Sequence, residues 1–236
     1  MISQYFDNLE EFIKSSLQSH QVLHIALRYS QMGDDNASRL GSGLGKCINL
    51  SNVTLDLSHN QIGAIGTLDL SSALVKCTNL SNLTLDLRSN QINNEGALGL
   101  SSDIGKCTNL LNLTLDIGYN QIGDESASGL GSGLGKCINL SNLTLFLDWN
   151  TIGDEGIIGL GSDFEKYTKL QNLTLDLGSN YIGDEGASGL VYGLGKCTNL
   201  SKLTLYLCGN EINQEQQLKV KCLKSKRLVA LQLEIW

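Results

Sequence analysis

Leucines and polar residues alternate in a short segment that returns every thirty residues along almost the whole chain. In its clearest copy, Leu83 to Leu87, leucines occupy every second position and Thr84 and Asp86 lie between them. Strict alternation is typical of a strand with one buried face. Eight strands are therefore predicted, beginning at Leu23, Val53, Leu83, Leu113, Leu143, Leu173, Leu203 and Leu231.

An asparagine follows most of these strands, and an isoleucine lies two residues beyond it. The asparagines are Asn60, Asn90, Asn120, Asn150, Asn180 and Asn210. The residue after the isoleucine is Gly63, Asn93, Gly123, Gly153, Gly183 or Asn213. Because glycine and asparagine best tolerate a left-handed backbone, we expect a forced turn at this column.

The second half of each unit carries the spacing of a helix. Between Asp124 and Lys136, Leu130 and Leu134 lie four residues apart, and Cys137 continues the same stripe. Acidic residues open these segments and lysines close several of them, which suits the helix dipole. Four glycines weaken the helix by about 1 kcal/mol each relative to alanine, so packing must hold it.

A strand and a helix per unit cannot bury their leucines alone, whereas stacked units can. Neighbouring strands lie about 4.8 Å apart and neighbouring helices about 10 Å apart, so the stack must bend toward its strands. The pattern predicts an α/β solenoid with the shape of a horseshoe. Its parallel strands line the concave face and its helices line the convex face.

The run LSNLTLDLRSNQINNEGALGL, which begins at Leu80, resembles the leucine-rich repeat. The long helical half with Gly96 is similar to the ribonuclease-inhibitor-like subtype. The resemblance covers residues ~20 to 236, a span set by the recurrence of the motif. It implies that each recurring asparagine bonds to the backbone of its own turn and of the next repeat.

The N-terminal residues differ from the repeats. Between residues 2 and 17, Phe6, Leu9, Phe12 and Leu17 keep one apolar stripe on a helix. We therefore expect residues 1–20 to form a capping helix. Residues 21–236 then form about seven thirty-residue repeats and a final strand.

Composition narrows the class of partner. A net charge of −7 and a pI near 4.9 argue against nucleic acid and favour a basic protein. No run reaches the roughly 20 apolar residues of a membrane span, and the N-terminus lacks the pattern of a signal peptide. We expect a cytoplasmic protein that does not contact membranes. Five cysteines share one repeat column, where disulfides cannot form, and indicate buried thiols: Cys47, Cys77, Cys107, Cys137 and Cys197.

The sequence contains few residues suited to catalysis. The glycines lack the context of a phosphate-binding loop, and none of the three histidines pairs visibly with a nucleophile and a carboxylate. No close Cys or His pairing suits zinc. We therefore expect no enzymatic activity, no cofactor and no metal.

The outward-facing side chains of the strands do not pack in the core, and they include the candidate binding residues. One column reads Ala26, Asp56, Asp86, Asp116, Phe146, Asp176, Tyr206, and columns nearer the turn add Tyr29, Tyr119, Asp148 and Trp149. Adjacent carboxylates repel one another and favour a cationic partner, while exposed aromatic residues resemble interface anchors. The predicted partner-binding residues are Asp56, Asp86, Asp116, Tyr119, Phe146, Asp148, Trp149, Asp176 and Tyr206. Alternatively, counter-ions or Arg88 neutralise the aspartates.

Three other functions fit the same resemblance. Some proteins of this subtype activate GTPases, which would require an exposed arginine such as Arg28, Arg39 or Arg88. Similar arrays also form sensor regions of kinase-linked proteins, although this chain has neither an HRD nor a DFG motif. A structural spacer is the third alternative.

Two features close the sequence. A basic run, Lys219, Lys221, Lys224, Lys226 and Arg227, is most simply a solvated helix face, with nuclear import or an anionic partner as alternatives. Leu231 to Ile235 is predicted to be an open sheet edge that offers pairing to another chain or to further repeats.

Overall fold

A computed structural model describes residues 3–214 and 229–235, and these residues form one parallel sheet of nine strands in chain order. The strands are β1 (Ser3–Phe6), β2 (Val22–Ala26), β3 (Asn52–Asp56), β4 (Asn82–Asp86), β5 (Asn112–Asp116), β6 (Asn142–Phe146), β7 (Asn172–Asp176), β8 (Lys202–Tyr206) and β9 (Ala230–Glu234). The register between β2 and β8 advances by thirty residues per strand. Equivalent residues therefore lie side by side.

Helices connect the consecutive strands from β1 to β8. They are α1 (Leu9–Lys14), α2 (Asp34–Leu44), α3 (Ala64–Leu74), α4 (Asn94–Ile104), α5 (Asp124–Leu134), α6 (Asp154–Ser162) and α7 (Asp184–Leu194). Short 3-10 turns lie at Leu17–Ser19 and Asp163–Lys166. Among the residues described, no helix is long and apolar enough to cross a membrane.

The strand leucines build the core that the alternation predicts. Leu83, Leu85 and Leu87 are buried, while the residues between them are partly exposed. The strands begin and end one residue earlier than predicted, and the predicted helix from Asp124 ends at Leu134. The cysteine column is buried among the same side chains, and its thiols are free, as expected.

Glycines allow the helices to pack closely. A Cβ atom at Gly105 would lie 2.3 Å from the carbonyl oxygen of Gly133, and one at Gly193 would lie 2.0 Å from that of Gly161. The helices nevertheless need more room than strands spaced by about 4.8 Å. The sheet is therefore the concave side of a curved solenoid.

The N-terminus differs from the predicted helix over residues 2–17. Ser3–Phe6 is a strand paired with β2, and helix α1 occupies only Leu9–Lys14. Pairing with β2 satisfies backbone groups that would otherwise face solvent at the sheet edge. These hydrogen bonds favour a strand over the helix that the apolar spacing predicts. Phe12 is buried in the core and packs against Phe6 and His20.

The left-handed turn lies in a different column from the predicted one. Gly63 is extended, with φ of −99°, and its N–H donates to Asp34 Oδ1 of the preceding repeat at 2.7 Å. The left-handed residues come four positions earlier in each repeat: Tyr29, His59, Ser89, Tyr119, Trp149, Ser179 and Gly209. At the first six of these positions the N–H donates to a carbonyl oxygen at the exit of the neighbouring strand, as Ser89 does to Gly118 at 3.0 Å. That bond fixes the turn there.

The recurring asparagines bond to backbone groups, as the resemblance implies, but in the preceding repeat and not the next one. Asn90 Nδ2 donates to the carbonyl oxygens of Leu87 and Leu57 at 2.9 and 3.0 Å. Its Oδ1 accepts from the N–H of Ile62 at 3.0 Å. Each asparagine therefore ties two repeats together with an amide that is fully hydrogen-bonded.

Two sequence-based expectations fall partly or wholly outside the described residues. The basic run Lys219, Lys221, Lys224, Lys226 and Arg227 lies entirely within residues 215–228, which the structure does not describe. The predicted final strand lies at Ala230–Glu234, paired with β8 in parallel. Its role as an open edge stays a prediction.

Candidate functional site

The concave face carries rows of identical polar residues, one per strand. At the strand starts, Asn82 Nδ2 donates to Asn52 Oδ1 at 2.6 Å, and Asn172 donates to Asn142 at 2.5 Å. Asn112 and Asn142 continue this amide ladder. Threonines fill the next row, at positions 54, 84, 114, 144, 174 and 204. Sequence reasoning missed the ladder, although its identical residues at a thirty-residue spacing were a visible signal.

The third row, here called the carboxylate row, is formed by residues 56, 86, 116, 146, 176 and 206. Asp56, Asp86 and Asp116 lie side by side in register, as predicted. Asp116 is followed by Phe146, Asp176 and Tyr206 on consecutive strands. The predicted contact residues of this row are thus brought onto one surface.

The aspartates of the carboxylate row also hold the turns after their strands. Asp86 Oδ1 accepts from the N–H of Arg88 at 3.0 Å, and Asp116 Oδ1 accepts from the N–H of Gly118 at 2.9 Å. Asp176 accepts from Gly178 at 3.0 Å in the same way. These aspartates therefore stabilise the turns as well as carrying charge, a role that the sequence did not predict.

Burial dominates the electrostatics of this row. Burial raises the pKa of Asp116, and Asp86 and Asp148 act in the same direction. The Gly118 N–H and Arg88 lower it, and the net pKa is about 6. Burial also raises the pKa of Asp86 and of Asp176 above the ordinary value. The charged form of these carboxylates is therefore disfavoured in the folded protein, and a nearby cation would stabilise it.

An ion pair crosses three strand exits at the edge of the concave face. Arg88 Nη1 and Nη2 donate to Asp148 Oδ1 and Oδ2 at 2.9 and 2.8 Å. Arg88 Nη1 also lies 3.7 Å from Asp116 Oδ1. Two parallel hydrogen bonds to a carboxylate fix the guanidinium plane. The ion pair therefore also fixes the position of a side chain that packs on the guanidinium.

The residue between the two charges has to be glycine. A Cβ atom at Gly118 would lie 2.6 Å from Asp148 Oδ1 and 2.8 Å from Arg88 Nη1. Any side chain there would occupy the space of the hydrogen bonds. Gly118 is thus what allows residues two repeats apart to meet.

Two aromatic rings complete this group. Tyr119 and Trp149 stack with centroids 4.9 Å apart and planes 18° apart, and the Arg88 guanidinium lies 4.5 Å from the Tyr119 centroid. Tyr119 is 41% exposed and Trp149 is 53% exposed. We call Arg88, Tyr119, Asp148 and Trp149 the rim cluster. It presents a rigid aromatic surface to solvent.

Comparison with known families decides what kind of protein this is. The family model described as Leucine Rich repeat matches residues 49–71, 79–101, 109–131, 139–161 and 169–191. This is a leucine-rich-repeat protein. Its α/β solenoid has the parallel strands on the concave face and the helices on the convex face.

Two solved structures are similar to this chain. The chain is similar to leiomodin-1 actin-binding site 2, with a TM-score of 0.50 and 16% identity over 68% of this chain and 87% of that one. Internalin C2 of Listeria monocytogenes gives a TM-score of 0.45 and 20% identity over 85% of this chain and 83% of that one. No curated protein matches the sequence significantly.

The leucine-rich-repeat scaffold places a second aromatic pair on the same rim. Tyr29 and His59 stack with centroids 4.4 Å apart and planes 17° apart. The Arg28 guanidinium lies 4.8 Å from the Tyr29 centroid. His59 was not among the predicted site residues, because a lone histidine in sequence carries no sign of its stacking partner. Its position thirty residues after Tyr29 was the available signal.

One predicted contact residue requires correction. Asp148 was expected to be outward beside Trp149, yet it is only 8% exposed and both its oxygens bind Arg88. The reason is Gly118, which leaves room for the arginine to reach it. Asp148 therefore positions the rim cluster from below, whereas Phe146 and Tyr206 are partly exposed on the concave face.

The other chemical features have structural partners in this leucine-rich-repeat protein. Arg88 is held by Asp148, Arg39 by Glu10, and Arg28 donates to the Tyr29 hydroxyl at 3.3 Å. Within residues 3–214 and 229–235, no three His, Cys, Asp or Glu side chains are grouped so as to hold a metal ion. Burial raises the pKa of Cys47 and of Cys137 to about 12, so these thiols are not nucleophiles.

Proposed function

We propose that this leucine-rich-repeat protein is a non-catalytic cytoplasmic scaffold that binds a basic protein partner through its concave face. The contacts are made by the carboxylate row and by the exposed rings of the rim cluster. A solved structure with a similar fold is described as leiomodin-1 actin-binding site 2. At 16% identity that neighbour supports the fold alone, so the partner is argued from this chain's own surface.

The stack of Tyr119 and Trp149 is the observation on which the proposal rests. Both residues have left-handed backbones, with φ of 51° and 54°. Bulky side chains rarely adopt this conformation, and it costs about 1–3 kcal/mol per residue. A rigid and solvent-exposed aromatic pair is typical of an interface anchor, because a partner covering it gains contact area without ordering flexible side chains.

The charge of the adjacent surface selects the partner. The carboxylate row holds Asp56, Asp86, Asp116 and Asp176, and the chain as a whole carries a net charge of −7. Burial already disfavours the charged form of three of these aspartates. A basic surface docked on the row would relieve that penalty, which favours lysine- and arginine-rich partners.

The proposal is tested by affinity capture from the source cells, quantified by mass spectrometry. The test variant is Trp149→Ser, which removes the anchor ring. The matched control is Tyr192→Ser, because Tyr192 is 72% exposed and lies on helix α7 of the convex face. A specific partner should be lost with the first variant and retained with the second.

Salt and charge supply a second arm of this experiment. Binding through the carboxylate row should weaken as ionic strength rises, because exposed charges are screened over about 8–10 Å at 0.1–0.15 M salt. If the Trp149→Ser and Tyr192→Ser variants capture the same proteins in the same amounts, the concave face is not the binding surface. If the captured partners have acidic surfaces, the proposed preference for basic partners is wrong, while binding through the concave face still stands.

A further inference from the structure

The two halves of the carboxylate row differ in how their charge is balanced. Arg88 lies 3.7 Å from Asp116, and the charges of Arg28 and Arg88 both act on Asp86. Asp176 is in the other half, where Arg88 is the basic residue that acts on it. The guanidinium of Arg88 is already held by both oxygens of Asp148. Among residues 3–214 and 229–235, the charge of Asp176 is therefore poorly compensated.

Aromatic residues flank Asp176 on both sides. The register pairs Asp176 with Phe146 on β6 and with Tyr206 on β8. Tyr206 is in turn paired with Glu234 on β9. The row thus alternates ring, carboxylate, ring, carboxylate across four strands, a pattern found only in this half of the row. In the other half, Asp56, Asp86 and Asp116 adjoin one another directly.

The spacing of this alternation suits one planar cation. Residues two strands apart in a sheet lie about 9.6 Å apart, so Phe146 and Tyr206 lie on either side of Asp176 with room for a flat group between them. A planar group about 3.5 Å thick can lie between two such rings.

We propose that Phe146, Asp176 and Tyr206 form a subsite for a single arginine side chain of the partner. The inference rests on the proposed function, because it specifies which residue of the basic partner this part of the concave face binds. Arginine fits better than lysine, since its flat guanidinium stacks on aromatic rings and presents parallel donors to a carboxylate. Asp176 already accepts from Gly178 through Oδ1, which holds the carboxylate in place for this contact.

Small probes test the subsite without the partner. Nα-acetyl-arginine amide is titrated into the ¹⁵N-labelled protein at low salt and compared with Nα-acetyl-citrulline amide, its neutral isostere. We expect saturable shifts at residues 146, 176 and 206 with arginine, with a Kd of the order of millimolar. Citrulline should bind at least threefold more weakly, and so should Nα-acetyl-lysine amide.

Two variants complete the design. Asp176→Asn keeps an oxygen that accepts from the Gly178 N–H and removes only the charge, so it should fold and lose arginine binding. Glu95→Gln removes a charge outside the concave face, where Glu95 is exposed in the first turn of helix α4, and should bind as well as the parent chain. Equal binding of citrulline and arginine, or an equal loss in both variants, would overturn the subsite.

Failure of the subsite is distinguishable from failure of the scaffold. If Trp149→Ser loses the partner while arginine shows no preference for the site at Asp176, the scaffold stands and the subsite is wrong. If arginine binds at Asp176 while Trp149→Ser captures every partner normally, the rim anchor is wrong and the subsite stands.

Discussion

Arg88 and Asp148 are sixty residues apart in the chain, yet they share two hydrogen bonds of 2.9 and 2.8 Å across the strand exit that separates them. The pair links three consecutive repeats, and Tyr119 lies on the guanidinium that it fixes. The rim cluster is therefore organised by a partly buried ion pair and not by the aromatic residues themselves.

Gly118→Ala should disrupt this ion pair. The added Cβ would lie within 3 Å of both charged groups. We expect the free energy of unfolding, measured with denaturant, to fall by about 1–3 kcal/mol. Gly33→Ala is the control, because a Cβ atom there meets nothing within 4 Å. Equal effects of the two substitutions would show that the Arg88–Asp148 geometry does not depend on Gly118.

A double-mutant cycle on Arg88 and Asp148 should give a coupling energy of about 1–3 kcal/mol. Arg88→Met and Asp148→Asn each remove one charge and leave the size of the side chain nearly unchanged. The fluorescence of Trp149 should shift in both single variants as the stack loosens. Strict additivity of the two free-energy changes would mean that the pair contributes nothing as a pair.

Ser89→Gly should stabilise the protein. Ser89 has a φ of 53°, and glycine adopts this left-handed conformation without the steric penalty of a Cβ atom. A gain of about 0.5–1 kcal/mol is expected in denaturant unfolding. Ser89→Ala is the control, because it removes the hydroxyl and keeps the Cβ, so it should give no such gain. A gain from both variants would trace the effect to the hydroxyl.

Acid should stabilise the site through Asp116. Its folded pKa is about 6, above the ordinary value of 3.8, so the folded state binds the proton more tightly than the unfolded state. This contribution is fully present below the unfolded pKa and is lost as pH rises through about 6. Between pH 7 and pH 5 the parent chain should gain about 1 kcal/mol relative to Asp116→Asn. A flat difference curve would contradict the raised pKa.

Acid should act in the opposite direction at the N-terminus. His20 is 4% exposed, its Nε2 lies 2.8 Å from Ser15 Oγ, and within the described residues its Nδ1 has no hydrogen-bond partner. Burial lowers its pKa below 6.5, so the stability from neutral His20 is present above pH 6.5 and is lost as pH falls. The protection factors of the β1 and α1 amides, which correct for the intrinsic pH dependence of hydrogen exchange, should fall below pH 6.5 in the parent chain and not in His20→Gln.

The repeat period predicted most of the fold, because alternation and spacing state directly which leucines are buried. It placed the carboxylate row correctly for the same reason. The left-handed column was placed wrongly at Gly63 and its equivalents, because composition points to glycine while the hydrogen bonds between strand exits impose the conformation on Tyr119 and Trp149. The strand at Ser3–Phe6 was missed because its stability comes from pairing with β2, a contact that the local pattern does not contain.

The rim cluster could not be derived from the sequence. Arg88 was weighed there as a neutraliser of the aspartates, and Asp148 as an exposed contact residue. Only the space left by Gly118 brings the two together, and that space depends on three repeats stacking in register.

A protein partner is proposed to lie on the concave face. The direct measurement is site-specific photo-crosslinking in source-cell lysate, with p-benzoylphenylalanine at position 146 or 206 of the concave face or at position 192 of the convex face. We predict one shared crosslinked protein from positions 146 and 206, and none of it from position 192. A partner that is crosslinked from position 192 and from neither concave position would contradict binding on the concave face.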